Sequence, residues 1–386
     1  MLEVSATVPQ SGGHRTHSEA RLDCVIQDSH TSANRELRSI LVALALLAAC
    51  AGAKEAGPKQ AVPAEAPGKE SVPKVADKKE KEPQGPQDYA SLYWPAAKPF
   101  VNSPVVSVSA TGQRTVEQFQ FPEAVRSAFE AAERAFGARN FPEGERRYRE
   151  VIEACPTCYP ALIGLGDCEL GQRKARDAIE HYREAEQLNP DDFLAFFSEA
   201  DAIARLGNFG EARELLTRAL VLRPARATVL ILLHRIEERI GAIVDDQPLR
   251  PKTAFIRDNE LVTVAREGDP AAIWWGVYAM CKRIPTPEQV PGEGRTVSPQ
   301  RSWNSQQEEV CLRKTASAYA KERSAKGSDP ALERFLAADA AGLAKGFVLY
   351  EVASRLDPQI VLEVPLEQRK LVDRYVRTIV VRDRGH

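Results

Sequence analysis

Cys155-Pro156-Thr157-Cys158 is the arrangement with the most direct chemistry, because two thiols at this spacing can cycle between dithiol and disulfide. A helix N-terminus beside such a pair lowers one thiol pKa and favours the attacking thiolate. Motifs that work this way follow a strand, whereas this one fills the turn between two helical patterns. A structural disulfide or two unbonded thiols is therefore the favoured reading, and thiol-disulfide exchange by Cys155 and Cys158 is the alternative function. Cys168 lies roughly 15 Å along the following helix, too far to bond Cys158. Cys281 and Cys311 are candidates to staple two later helices, worth about 3 to 4 kcal/mol.

Little else in the chain points to catalysis. The sequence has no phosphate-binding glycine loop, no His-Glu-x-x-His zinc motif and no nucleophile elbow. Its carboxylates sit in amphipathic patterns where they read as solvated charge. No catalytic residue, metal site, cofactor or small-molecule substrate is expected. A formal charge of -2 over 386 residues lacks the basic footprint that phosphate neutralisation needs, so nucleic acid is not an expected partner.

The elements that must position these residues repeat. Pro156, Pro190 and Pro224 stand 34 residues apart, each closing a helical pattern. With the proline as position 32, one unit starts at Tyr159 and carries Leu162, Leu165, Gly166, Ala178, Tyr182 and Ala185. The next starts at Phe193 and carries Ala200, Ile203, Gly207, Ala212, Leu216 and Ala219. A first unit from Val125 keeps Ala132, Ala135 and Tyr148 but has Gly144 where alanine is usual. Small residues at positions 8, 20 and 27 let helices approach closely, and large ones at 4, 11 and 24 fill the gaps. These units resemble the tetratricopeptide repeat (TPR), a helix-turn-helix module. The resemblance implies an all-α solenoid over 122–240, with three units and a capping helix over 228–240 that retains Leu230 and Leu233.

In that fold, positions 2, 5, 9 and 12 of each first helix face a concave groove that holds peptides or helices. Carried over, position 5 is Phe129, Ile163 and Phe197, and position 9 is Glu133, Asp167 and Asp201. Arg205 and Arg235 lie at the far end. The resemblance thus implies an amphipathic partner-binding groove, an apolar row beside an acidic one, suited to a segment with aliphatic and basic side chains. The lysine and asparagine of carboxylate-clamp repeats are absent from positions 5 and 9.

The first ninety residues differ in composition. The apolar run 39–53 is shorter than the roughly 20 residues of a membrane span but suits a signal-peptide core. Arg35 and Arg38 precede it, and Leu47-Ala48-Ala49-Cys50 closes it. That quartet resembles a bacterial lipobox, which implies a signal over 1–49 and a diacylglyceryl group on Cys50. Residues 1–34 make an unusually long lead, and a start at Leu37 would leave a better signal. Residues 50–95 hold an acylated cysteine and a Pro-, Lys-, Glu- and Ala-rich tether that cannot bury a core and spans on the order of 120 Å if straight. An extended segment over 96–121 follows, in which the alternating Val106 and Val108 read either as a short strand or as an extended run packing on the first helices.

Beyond residue 240, helical patterns over 271–283, 303–326, 331–357 and 366–381 predict a helical C-terminal domain at 241–386. Asp269-Pro270 and Asp329-Pro330 read as helix starts. The Ala- and Gly-rich stretch 337–346 predicts close helix packing or a break near Gly342. Trp274, Trp275 and Tyr278 read as core. The whole resembles TPR lipoproteins of a bacterial cell envelope. That implies an exported, periplasm-facing scaffold anchored by lipid, the outer membrane favoured, that binds other envelope proteins.

Overall fold

The computed structural model describes residue 94 and residues 96–258, 260–265, 272–283 and 303–384. The signal segment, Cys50 and the tether up to residue 93 lie outside the described residues, whereas Trp94, within the span expected as tether, is buried in the core, where an indole gains more than in water. Residues 96–121 form more than an extended run: β1 (Pro104–Val108) and β2 (Arg114–Gln118) pair antiparallel, Val106 opposite Val116. Seven helices follow: α1 (Glu123–Gly137), α2 (Phe141–Ala154), α3 (Tyr159–Gly171), α4 (Ala175–Leu188), α5 (Phe193–Arg205), α6 (Phe209–Leu222) and α7 (Ala227–Ile240). Each packs chiefly on its neighbour in sequence, as a solenoid requires.

The repeat packing follows from residue size. Ala132, Ala178, Ala185, Ala200, Ala212 and Ala219 are fully buried. A Cβ on Gly166 would come within 2.5 Å of the Tyr182 ring. Gly144 answers a larger residue opposite it, because its Cβ would meet the Cys168 sulfur at 2.7 Å. Asn140, Asp192 and Asn208 cap α2, α5 and α6 by accepting from backbone N–H groups of the first turn. The turns within the three units place Arg139, Arg173 and Gly207 at φ of 58°, 67° and 87°, the same repeat position each time.

The C-terminal part is not wholly helical as expected. β3 (Ala242–Val244) pairs with β6 (Val381–Asp383), and β4 (Thr253–Asp258) pairs with β5 (Glu260–Ala265). The latter had a readable signal in the β-branched Thr253, Ile256, Val262, Thr263 and Val264. The helices are α8 (Ala272–Arg283), α9 (Ser305–Lys326), α10 (Pro330–Ala340), α11 (Ala344–Val348), α12 (Ile360–Glu363) and α13 (Leu366–Tyr375). A π turn over Leu349–Ala353 extends α11, and another over Val376–Val380 extends α13. Gly342, at φ 71°, ends α10, so the pattern over 331–357 is two helices. Asp329 caps α10, accepting from the Ala331 and Leu332 amides with Pro330 inside the first turn.

Polar ties join the repeats to this part. Asp191, between α4 and α5, accepts from Arg114 of β2 at 3.2 Å and Arg369 of α13 at 2.5 Å. Arg213 and Glu214 of α6 pair with Asp383 and Arg377 at 2.6 and 2.5 Å. Ahead of β1, the Lys98 amide donates to the Leu356 carbonyl at 2.7 Å, and Gln359 bonds the backbone of Pro99 and Val101. Trp274, Trp275 and Tyr278 are buried in the core, with Trp275 donating to Asp329 at 3.0 Å.

Candidate functional site

The β1–β2 hairpin does not lie apart from the repeats. Tyr159, at the start of α3, donates its hydroxyl to the Pro104 carbonyl at 3.2 Å, and Asn189 donates to the same oxygen at 2.6 Å. Burial pushes the Tyr159 phenol far above its ordinary pKa, so it stays a donor. Phe119, just past β2, meets the Tyr159 ring edge-on at 5.3 Å and the Phe121 ring at 5.0 Å. Phe121 in turn stacks on Phe129 of α1 at 4.0 Å.

Between hairpin and repeats lies a cavity of about 820 Å³. Its apolar lining is Phe119, Phe121, Phe129, Pro160, Ile163 and Leu194. Arg126, Pro160 and Leu194 hold position 2 of their units, while Phe129 and Ile163 hold position 5, so the cavity occupies the concave side. Asn102, Ser103, Gln118 and Gln120 contribute amides and a hydroxyl from the hairpin, and Arg126, Glu130, Glu133 and Arg134 contribute charge from α1.

Of the residues expected to form the groove, Phe129, Glu133 and Ile163 line this cavity. Phe129 is half-buried, whereas Ile163 and Phe197 are 1% and 2% exposed, so position 5 belongs largely to the core. The acidic row is built into the repeats. Tyr148 donates to Glu133 at 2.6 Å and Tyr182 donates to Asp167 at 2.8 Å. Both pairs join position 9 to position 24. Where position 24 is Leu216, Asp201 instead accepts from Arg205 at 2.9 Å, one turn along α5. Burying a carboxylate requires such a donor, and tyrosine at position 24 was the readable signal for it. Asp167 and Asp201 are only 4% and 6% exposed. Arg235 stands exposed on α7.

Cys155 is bonded to Cys158, and Cys281 to Cys311, each pair with Cα atoms 5.4 Å apart. The second pair joins α8 to α9. Cys158 is fully buried and Cys155 is 8% exposed, while Cys168 is buried and belongs to neither disulfide. Among the described residues no cluster of side chains is arranged to hold a metal ion. No described helix is long and apolar enough to cross a membrane.

The family model of the tetratricopeptide repeat matches residues 129–192 and 169–227. No curated protein matches the chain. Among solved structures, it is similar to the Arabidopsis OM64 TPR domain at 19% identity and TM-score 0.30, over 31% of this chain and 98% of that one. It is also similar to MamA protein at 13% identity and TM-score 0.29, over 66% of this chain and 91% of that one. A chain of the CopN-Scc3 complex aligns at 16% identity and TM-score 0.27, over 42% of this chain and 92% of that one. Likenesses this slight carry no function across. The repeat match and the helical solenoid together establish that residues 129–227 of this chain are tetratricopeptide repeats.

Proposed function

We propose that the chain is a protein-binding adaptor, exported and held by lipid on Cys50 at a bacterial envelope membrane, where it helps assemble other envelope proteins. The observation that carries the binding role is the cavity on the concave side of the repeats, lined by aromatic and aliphatic side chains among a few polar groups. Two bonded cysteine pairs fit an oxidising compartment. Thiol-disulfide exchange has less support, since the Cys155–Cys158 pair fills a turn between two repeat helices and follows no strand.

The test has two arms. Cys50→Ser should move the native protein from membranes to the soluble fraction, and mass spectrometry of the parent should find the lipid on Cys50. Cross-linking in envelopes should join partners to residues around the cavity. A parent protein without lipid removes the anchor. Cross-links confined to the C-terminal helices remove the repeat surface as the binding site.

A further inference from the structure

The cavity has a wall that the repeats do not supply. Residues 102, 103 and 118–121 belong to the hairpin segment, ahead of the matched repeats, and they close one side of a surface that a bare solenoid leaves open. Phe121, stacked on Phe129 at 4.0 Å, makes the hairpin's aromatic part continuous with position 5.

Charge on this wall and on α1 is already balanced inside the chain. Arg126 pairs with Glu123 at 3.0 Å, Arg134 lies 3.9 Å from Glu130, and Glu133 accepts the Tyr148 hydroxyl. Both ion pairs are solvent-exposed, so a charged ligand that takes up one of their partners gains little. Apolar contact suffers no such competition. The exposed amides of Gln118 and Gln120 at the cavity rim offer donors and acceptors of the kind a peptide backbone carries, and a hydrocarbon chain offers none in return.

We infer that the hairpin turns the concave side of the repeats into a socket for a short, uncharged peptide segment bearing an aromatic or branched aliphatic side chain. This rests on the adaptor reading and replaces the basic partner expected from the acidic row. The volume suits a few residues in extended form, since pockets of this size hold drug-sized ligands. Affinity comes from the apolar side chain against Phe121 and Phe129, with the hairpin amides setting orientation.

The test uses the full chain as bait for a random heptapeptide library displayed on phage. The enriched sequences should be uncharged with at least one aromatic or branched aliphatic residue. A synthetic peptide of that consensus should bind with the same Kd, within about twofold, at roughly 50 and 500 mM salt. Phe129→Ala and Phe121→Ala should each weaken it about tenfold or more, and Lys370→Ala, an exposed change on α13, should leave it unchanged. Phe121 sits outside the repeats, so its variant keeps the test meaningful if Phe129→Ala unfolds α1. Enrichment of basic peptides whose binding falls with salt and is lost in Asp201→Asn would overturn the uncharged socket while the adaptor reading stands. No enrichment, or peptides indifferent to both phenylalanine variants, would overturn the socket and remove the cavity as the adaptor's site.

Discussion

At the scale of single residues, Glu186 of α4 is a strongly displaced carboxyl. Burial, followed by its contact with Glu199 of α5, pushes its pKa up to about 9. Glu199 itself accepts from Arg183 at 2.6 Å. An acid whose folded pKa lies above its ordinary 4.5 supports the fold fully below that pH and loses its share as the pH climbs toward 9. Glu186→Gln should therefore match the parent's stability near pH 4 and exceed it by about 1 kcal/mol near pH 8.5, after allowance for solvent screening, in urea unfolding. A flat difference between the two pH values would refute this. Arg173 provides a second case. Its φ of 67° lies where Cβ crowds the following carbonyl, and its counterpart Gly207 relieves that crowding. Arg173→Gly should raise stability by about 0.5 to 1 kcal/mol despite the more flexible unfolded chain. An unchanged or lower denaturation midpoint would count against it.

At the scale of elements, close approach decides the C-terminal helices. A Cβ on Gly346 of α11 would sit 2.4 Å from the Leu371 carbonyl oxygen of α13, and backbone cannot yield as a side chain can. Gly346→Ala should cost about 2 to 3 kcal/mol, read from the urea midpoint, and a neutral result would mean the helices do not touch there. The two disulfides should differ in the same measurement. Cys281–Cys311 closes a separation of 30 residues and Cys155–Cys158 one of 3. Loop-closure entropy then gives the first about 3 to 4 kcal/mol and the second about half of that. Replacing Cys281 and Cys311 together by serine should destabilise the chain more than replacing Cys155 and Cys158, and the reverse order would place the strain of the fold in the repeats.

At the scale of the whole described molecule, Asp191 is a junction for three parts of the chain. It holds Arg114 of the hairpin and Arg369 of α13, both largely buried at 12% and 15% exposure. Arg114 and Arg369 also donate to the Leu362 carbonyl, so the hairpin, the repeats and the C-terminal helices share one set of bonds. Asp191→Asn leaves two guanidinium groups short of their counter-charge and should cost about 2 kcal/mol. Hydrogen exchange should speed up in β1–β2 and α13 while α1 and α2 keep their protection. Uniform exchange across all elements would show that Asp191 does not couple them. The hairpin forms the cavity wall, so the same variant should also loosen peptide binding.

Residue types and spacing were enough to determine the repeats, because the 34-residue period of small and large side chains is itself the packing rule of a helix-turn-helix stack. Pro156, Pro190 and Pro224 marked the unit ends, whereas the cysteine spacing offered 155/158 and 281/311 only as candidate pairs and left two unbonded thiols open at 155/158. Only the tertiary structure decided which groove positions meet a cavity. Phe197 has the residue type of a binding row, but burial assigns it to the core, Ile163 meets the cavity although 1% exposed, and the acids of the parallel row are taken up by Tyr148, Tyr182 and Arg205. The alternating Val106 and Val108 offered a short strand as one reading, but nothing local in residues 102–121 fixes where the hairpin docks, because its place against α1 and α3 depends on Tyr159, Asn189 and Phe129, far along the chain. Contacts of that range are settled by which surfaces fit once the solenoid exists, and periodicity within a segment does not record them.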